Sequence, residues 1–205
     1  MKKLWLITVA CASVAGPALA TDEAASPYKP FIVLDSSSEK DSLANEYIAA
    51  NITIGVKAPN KVEYSVKSGI SLKDVPNSTS DTMSANIEGK IKKSYDIGMF
   101  FTPYVAVRLG QKINYNTTSF THYAFDAGLK IPMSSTTAID VGVRHRDAFD
   151  ASQHFKSFRL HSTLLWDLSP SNTLGLRFTK SYATYAGAAT TEERETWRLH
   201  WQHNY

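Results

Sequence analysis

Four groupings of reactive side chains stand out in this 205-residue chain. His161, Ser162 and Thr163 are consecutive and offer a base beside two hydroxyls, the raw material of acyl transfer once a carboxylate or amide orients the imidazole. Asp147, Asp150 and His154 crowd one short stretch and resemble a set that activates water. Arg144-His145-Arg146 places an imidazole between two guanidinium groups. The largest grouping is dispersed: Lys and Arg recur at even spacing through most of the chain, which is the chemistry of anion binding. Which of these groups can act together depends on the elements that carry them.

Those elements are strands. Val62, Tyr64, Val66, Ile70 and Leu72 alternate with Lys61, Glu63, Ser65, Lys67, Ser71 and Lys73. Met83, Ala85, Ile87 and Ile91 alternate with Ser84, Asn86, Glu88, Lys90 and Lys92. The same period of two runs through Ile48 to Lys57, Phe101 to Lys112, His122 to Ile131, Thr137 to Arg146, Ser157 to Leu168, Thr173 to Tyr182 and Thr196 to Tyr205. Each stretch has about the 9 to 11 residues that a tilted membrane strand needs, beyond the ~5 to 6 usual in soluble sheets.

Alternation disposes of most reactive groupings. Neighbouring strand residues point to opposite faces, so His161 and Ser162 do not meet, and Arg144-His145-Arg146 is no metal site. His161 and Thr163 share a face, but nothing marks the hydroxyl as activated. A loop carrying Asp147, Asp150 and His154 reads as solvated. No zinc spacing, phosphate loop or nucleotide fingerprint occurs, so no catalytic residue, metal or cofactor is assigned.

The termini and the charge balance bound the compartment. Lys2 and Lys3 precede the apolar stretch Leu4 to Ala15, followed by Gly16, Pro17 and the small-residue site Ala18-Leu19-Ala20. Residues 1–20 therefore read as a secretory signal peptide, and residues 21–205 as one domain. A lipoprotein alternative makes Cys11 the first mature residue, but Thr8-Val9-Ala10 is a poor lipobox. Cleavage after Ala20 removes the only cysteine. With 22 Lys and Arg against 19 Asp and Glu, the chain is nearly neutral, and bulk charge predicts no nucleic-acid partner.

Tight turns at Ala58 to Asn60, Ser94 to Asp96, Pro132 to Ser135 and Ser169 to Asn172 alternate with longer connections at Asp74 to Asp81, Ile113 to Thr121, Asp147 to Lys156 and Ala183 to Glu195. Outer-membrane barrels put short turns on the periplasmic side and longer loops outside, which orients every strand. Nine strands are clear, and such barrels carry an even number. Tyr28 to Asp35 supplies the tenth, made short or irregular by Pro27 and Pro30, with Ser36 to Asn45 as its loop. The expected architecture is all-β, an antiparallel up-and-down transmembrane β-barrel of ten strands, with eight or twelve as alternatives.

Lipid selects the face. A cation at the bilayer midplane costs about 2 to 4 kcal/mol, so the charged face must line the lumen and the outlying Lys180 must lie near a rim. The expected lining includes Lys67, Lys90, Arg108, Lys130, Arg144, Arg159, Arg177 and Arg198, with Glu63, Glu88, Asp126 and Asp140 as acids. Inward glycines at 55, 69, 110, 128, 142 and 175 help the sheet curve and are expected to leave room for long Arg and Lys. Tyr123, Phe158, Tyr182 and Trp197 fall near the outer strand ends, and Phe101, Trp166 and Tyr205 near the periplasmic ends. Those are two aromatic belts.

The terminal run has Trp197, Leu199, Trp201 and Tyr205 on one face and ends on an aromatic residue. It resembles the C-terminal signal read by the barrel-assembly machinery of Gram-negative bacteria. The chain as a whole resembles small outer-membrane β-barrels, among them the oligogalacturonate-specific porins with basic lumens. That resemblance implies a cell outer-membrane location, with membrane lipid, the assembly machinery and small anionic solutes as partners. A narrow porin-like channel with an anion-favouring lumen is expected rather than an enzyme. A non-conducting structural or surface-interaction barrel, an outer-membrane lipid-modifying enzyme and a soluble secreted β-sandwich are the alternatives.

Heat modifiability tests the barrel expectation: the folded protein should resist SDS at room temperature and change mobility on boiling. Deleting Tyr205 should lower the assembled fraction more than deleting Gly187 from a loop tip, with both read on semi-native gels of membrane fractions.

Overall fold

The computed structural model describes residues 27–42, 44–74, 82–98, 100–115, 119–150, 155–184 and 191–205. The signal-peptide assignment at residues 1–20 lies outside them. Ten strands form: β1 (Lys29–Asp41), β2 (Glu46–Lys57), β3 (Val62–Asp74), β4 (Thr82–Ser94), β5 (Thr102–Asn114), β6 (Phe120–Pro132), β7 (Thr137–Ala148), β8 (Lys156–Ser169), β9 (Asn172–Thr184) and β10 (Glu192–Asn204). Each pairs antiparallel with its sequence neighbours. β1 closes the ring on β10, from Phe31 opposite Asn204 to Asp41 opposite Arg194. Closure leaves no unpaired sheet edge, the condition for placing strands in hydrocarbon. It also excludes the two-sheet sandwich.

Burial is inside out. Ile54 is 60% exposed, Leu109 57%, Trp197 54% and Val107 46%, whereas Glu88 is 5% and Asp126 6% exposed. A soluble protein of this composition would bury the first set. Here those residues form the outer wall, and the acids sit inside it. Lys180 is the one basic outlier foreseen on that wall; its Nζ lies 2.5 Å from Glu193 towards the outer end of β9. The belt aromatics project outward near the strand ends. Trp166 and Tyr205 stand at the barrel end that carries the short turns. Trp197 is the exception: because β10 begins at Glu192, it lies mid-strand on the outer wall, where it packs on Phe178 with ring centroids 4.9 Å apart.

Three elements differ from expectation. β1 is a full strand of 13 residues, neither short nor irregular. Pro30 is only its second residue and its carbonyl accepts from the Tyr205 amide, so the missing proline donor costs little. The polar run from Ser36 to Asp41 belongs to the strand because Ser37, Glu39 and Asp41 face the lumen, where polarity is no objection. The β1–β2 connection is therefore only residues 42–45. β10 begins four residues earlier than Thr196, at Glu192, for the same reason: Arg194 faces inward. The β4–β5 connection is longer than a tight turn and spans 95–101, with Gly98 at φ 69° and Lys61 donating to Asp96 at 2.8 Å. That hydrogen bond holds the Asp96 carboxyl below its ordinary pKa.

Face assignment has a direct consequence for folding. Val107→Arg puts a cation on the outer wall near mid-strand and should cost about 2 to 4 kcal/mol. Thr53→Arg, whose side chain enters the lumen, should cost far less. Urea titration of both variants in lipid vesicles checks the order.

Candidate functional site: a basic vestibule in the lumen

Ten strands enclose a narrow lumen, and inward side chains must share it. Gly55 faces Phe31 across the β1–β2 ladder, Gly69 faces Asn51, Gly110 faces His122, Gly128 faces Tyr104, Gly142 faces His161 and Gly175 faces His200. In every pair the partner side chain lies over the glycine. A Cβ on Gly142 would sit 2.7 Å from the Ala127 carbonyl oxygen and 2.7 Å from the His161 ring. The expectation that these glycines make room for Arg and Lys is therefore corrected. They make room for rings and one amide, which fold flat on the wall and leave the axis to the charged groups.

Those charges are linked across strands. Arg108 donates from Nη1 to Glu88 at 2.6 Å and from Nε to Asp126 at 2.7 Å, while Arg144 Nε donates to the other Asp126 oxygen at 2.7 Å. Glu88 also receives Arg146 and His122, each at 3.4 Å. Asp35, supplied by β1, lies 3.5 Å from Lys67 and 3.4 Å from Arg198, and Lys90 pairs with Glu63. Charged hydrogen bonds of this kind hold the layer together and offset the cost of removing each ion from water.

Below that layer a cavity of about 980 Å³ is lined by turn residues Ala58, Lys61, Ser135, Thr136 and Pro170, so it opens at the barrel end that carries the short turns. Its wall carries ten basic and five acidic side chains. Among the described residues, Lys57, Lys92, Lys130 and Arg177 have no carboxylate within ion-pair distance. Lys57 donates to Asn204 at 2.8 Å, Lys92 lies 3.9 Å over the Tyr104 ring, and Arg177 Nε donates to Thr163 at 2.7 Å. Of the residues expected to line the lumen, Lys67, Lys90, Arg108, Lys130, Arg144, Arg177, Arg198, Glu63, Asp126 and Asp140 border this cavity. Glu88 and Arg159 face inward above it. The sequence reading missed four lumen acids: Asp35, because its strand was not among the nine clear ones, and Glu39, Asp41 and Glu192, because the end of β1 and the start of β10 read as loops. These acids shrink the cationic surplus of the whole lumen without removing that of the vestibule.

The closed ring, the inside-out burial and the charged lumen together decide the architecture. The fold is that of a small outer-membrane β-barrel. Similarity to one solved porin structure agrees. The NanC porin superimposes with a TM-score of 0.51 at 11% identity, over 83% of this chain and 98% of that one. The KdgM porin gives 0.47 at 11% identity, over 84% of this chain and 99% of that one. Neisserial surface protein A gives 0.45 at 11% identity, over 89% of this chain and all, 100%, of that one. No protein-family model and no curated protein sequence matches the chain.

A further constellation in this barrel was not foreseen from the sequence. Tyr104 donates its hydroxyl to Asp140 at 3.0 Å, and His161 Nε2 lies 3.0 Å from the same carboxylate oxygen and 3.1 Å from the tyrosine oxygen. A relay uses both imidazole nitrogens, one for the carboxylate and one for the nucleophile. Here a single nitrogen faces both groups. Thr163 is fully buried and occupied by Arg177, so the His161 and Thr163 pairing forms no nucleophile and base. Asp147 faces Lys156 at 3.7 Å, and His154 lies outside the described residues.

Glycine substitutions test the packing. Gly142→Ala should destabilise the barrel by about 1 to 3 kcal/mol, because backbone and ring both block the new methyl group. Gly89→Ala, on the outer wall with its nearest neighbour 3.9 Å away, should be neutral or slightly stabilising. Unfolding free energies measured in vesicles separate the two.

Proposed function

We propose that this protein is a narrow, anion-favouring porin-like barrel of the Gram-negative outer membrane, loaded from its periplasmic vestibule. The observation that carries the reading is the set of Lys57, Lys92, Lys130 and Arg177, cations that border the cavity of about 980 Å³ and, among the described residues, have no carboxylate within ion-pair distance. Unpaired cations between low-dielectric walls raise the local concentration of small anions and repel cations. Passage beyond the vestibule requires the Arg108, Glu88 and Arg146 side chains to part. Membrane lipid around the outer wall and the barrel-assembly machinery acting on the terminal strand belong to the same proposal.

A second reading rests on that layer itself. If its ion pairs stay closed, the barrel does not conduct and acts as a structural or surface-interaction scaffold through its outer loops. The Tyr104, His161 and Asp140 geometry supports neither acyl transfer nor hydrolysis, so the proposal is not enzymatic.

Planar-bilayer recording of refolded protein distinguishes the readings. In a salt gradient the reversal potential should shift towards the anion, and Lys92→Glu combined with Lys130→Glu should reduce or invert the shift while the barrel still folds. Conductance no greater than that of bare lipid would overturn the permeation reading.

A further inference from the structure

Above the vestibule lies a second group of unmet polar atoms that the permeation reading does not use. Arg146 on β7 is directly opposite Ser157 on β8 and diagonal to Arg159, and His122 on β6 is diagonal to Arg146 on the other side. Directly opposed inward residues have Cβ atoms about 4.5 to 5.5 Å apart, and diagonal ones remain within reach of long side chains. Ser157 is 3% and His122 2% exposed. In this one patch, Arg146 Nε, Arg159 Nε, Ser157 Oγ and His122 Nδ1 are all shielded from solvent and, among the described residues, without a hydrogen-bond partner. Arg159 also has no carboxylate within ion-pair distance among the described residues. The neighbouring Ala148 and Ala183 pack with Phe155 and Phe120 into an apolar cap on the outer side, and the Phe120 and Phe155 rings are 5.1 Å apart. Glu88 stands on the inner side, already shared by Arg108, Arg146 and His122.

A shielded Arg159 Nε–H with no carboxylate at ion-pair distance, beside the unmet Arg146 Nε–H and Ser157 hydroxyl, is costly unless something anionic completes the site. We propose that this patch is a binding site for a single small halide, chloride-sized, held by Arg146, Ser157 and Arg159. The donors decide the class of anion. Arg146 turns Nη2 towards Glu88, which occupies part of its forked face, and the shielded, unmet donors, the Nε–H groups of Arg146 and Arg159 and the Ser157 hydroxyl, each supply a single hydrogen. A spherical acceptor suits donors arriving singly from adjacent strands. The apolar cap removes competing water on one side and strengthens the field on the other. The site stands whether or not the lumen conducts.

The test uses the full barrel refolded in detergent micelles. Chloride is titrated against potassium gluconate at constant ionic strength while urea unfolding is followed, and crystals are soaked in bromide. The expected result is a rise in the folding equilibrium constant that grows in proportion to chloride above its Kd, about tenfold when chloride reaches ten times its Kd. An anomalous bromide peak should lie between Arg146, Ser157 and Arg159. Arg159→Met should abolish the chloride response, Ser157→Ala should weaken it several-fold, and Lys29→Gln at the periplasmic strand end should leave it intact. If Arg159→Met fails to fold, Ser157→Ala and the bromide position carry the test. Any of three results overturns the proposal: a response that sulfate or phosphate reproduces equally, a response surviving in Arg159→Met, or bromide found only in the vestibule.

Discussion

Charge cannot face hydrocarbon, and nearly every feature of this barrel follows from where charge goes instead. Alternation offers each strand two faces, and the membrane claims one of them. The other must hold most of the Lys, Arg, Asp and Glu of ten strands within a lumen that ten strands make narrow. Two devices make that crowding tolerable. Rings lie flat over glycines, so side chains such as Tyr104 and His161 thicken the wall without entering the axis. Carboxylates are shared, so that Asp126 and Glu88 each satisfy more than one guanidinium.

The outer wall was legible because its rule is simple. Val105, Val107 and Leu109, or Trp197, Leu199 and Trp201, repeat at the strand period whatever their neighbours do. Lys180 was readable as a rim residue for the same reason, since a lone cation on an apolar face has only one affordable place. The strand ends were less legible. Ser36, Ser37, Ser38 and Glu39 have loop composition, and only the closed ring shows that their odd positions face a polar lumen where such residues serve a strand well.

Pairing inside the lumen was not legible, because it crosses strands far apart in sequence. Nothing around Glu88 announces Arg146, and nothing around Gly142 announces that His161 will cover it. The charges on the inward face can be counted from a single chain. Their apportionment into closed ion pairs, four vestibule cations and an unmet donor cluster depends on register and reach.

The shared carboxylate of Glu88 also bears on how such a barrel can change over evolutionary time. It ties β4 to β5 through Arg108 and, 58 residues along the chain, to β7 through Arg146. Hairpins are the natural unit by which antiparallel barrels gain or lose strands. Excising or duplicating one between β4 and β7 would separate the acid from its cations and strand several charges at once. The network therefore makes strand number a collective property, fixed less by the closing seam between β1 and β10 than by a handful of side chains that brace the ring across its middle.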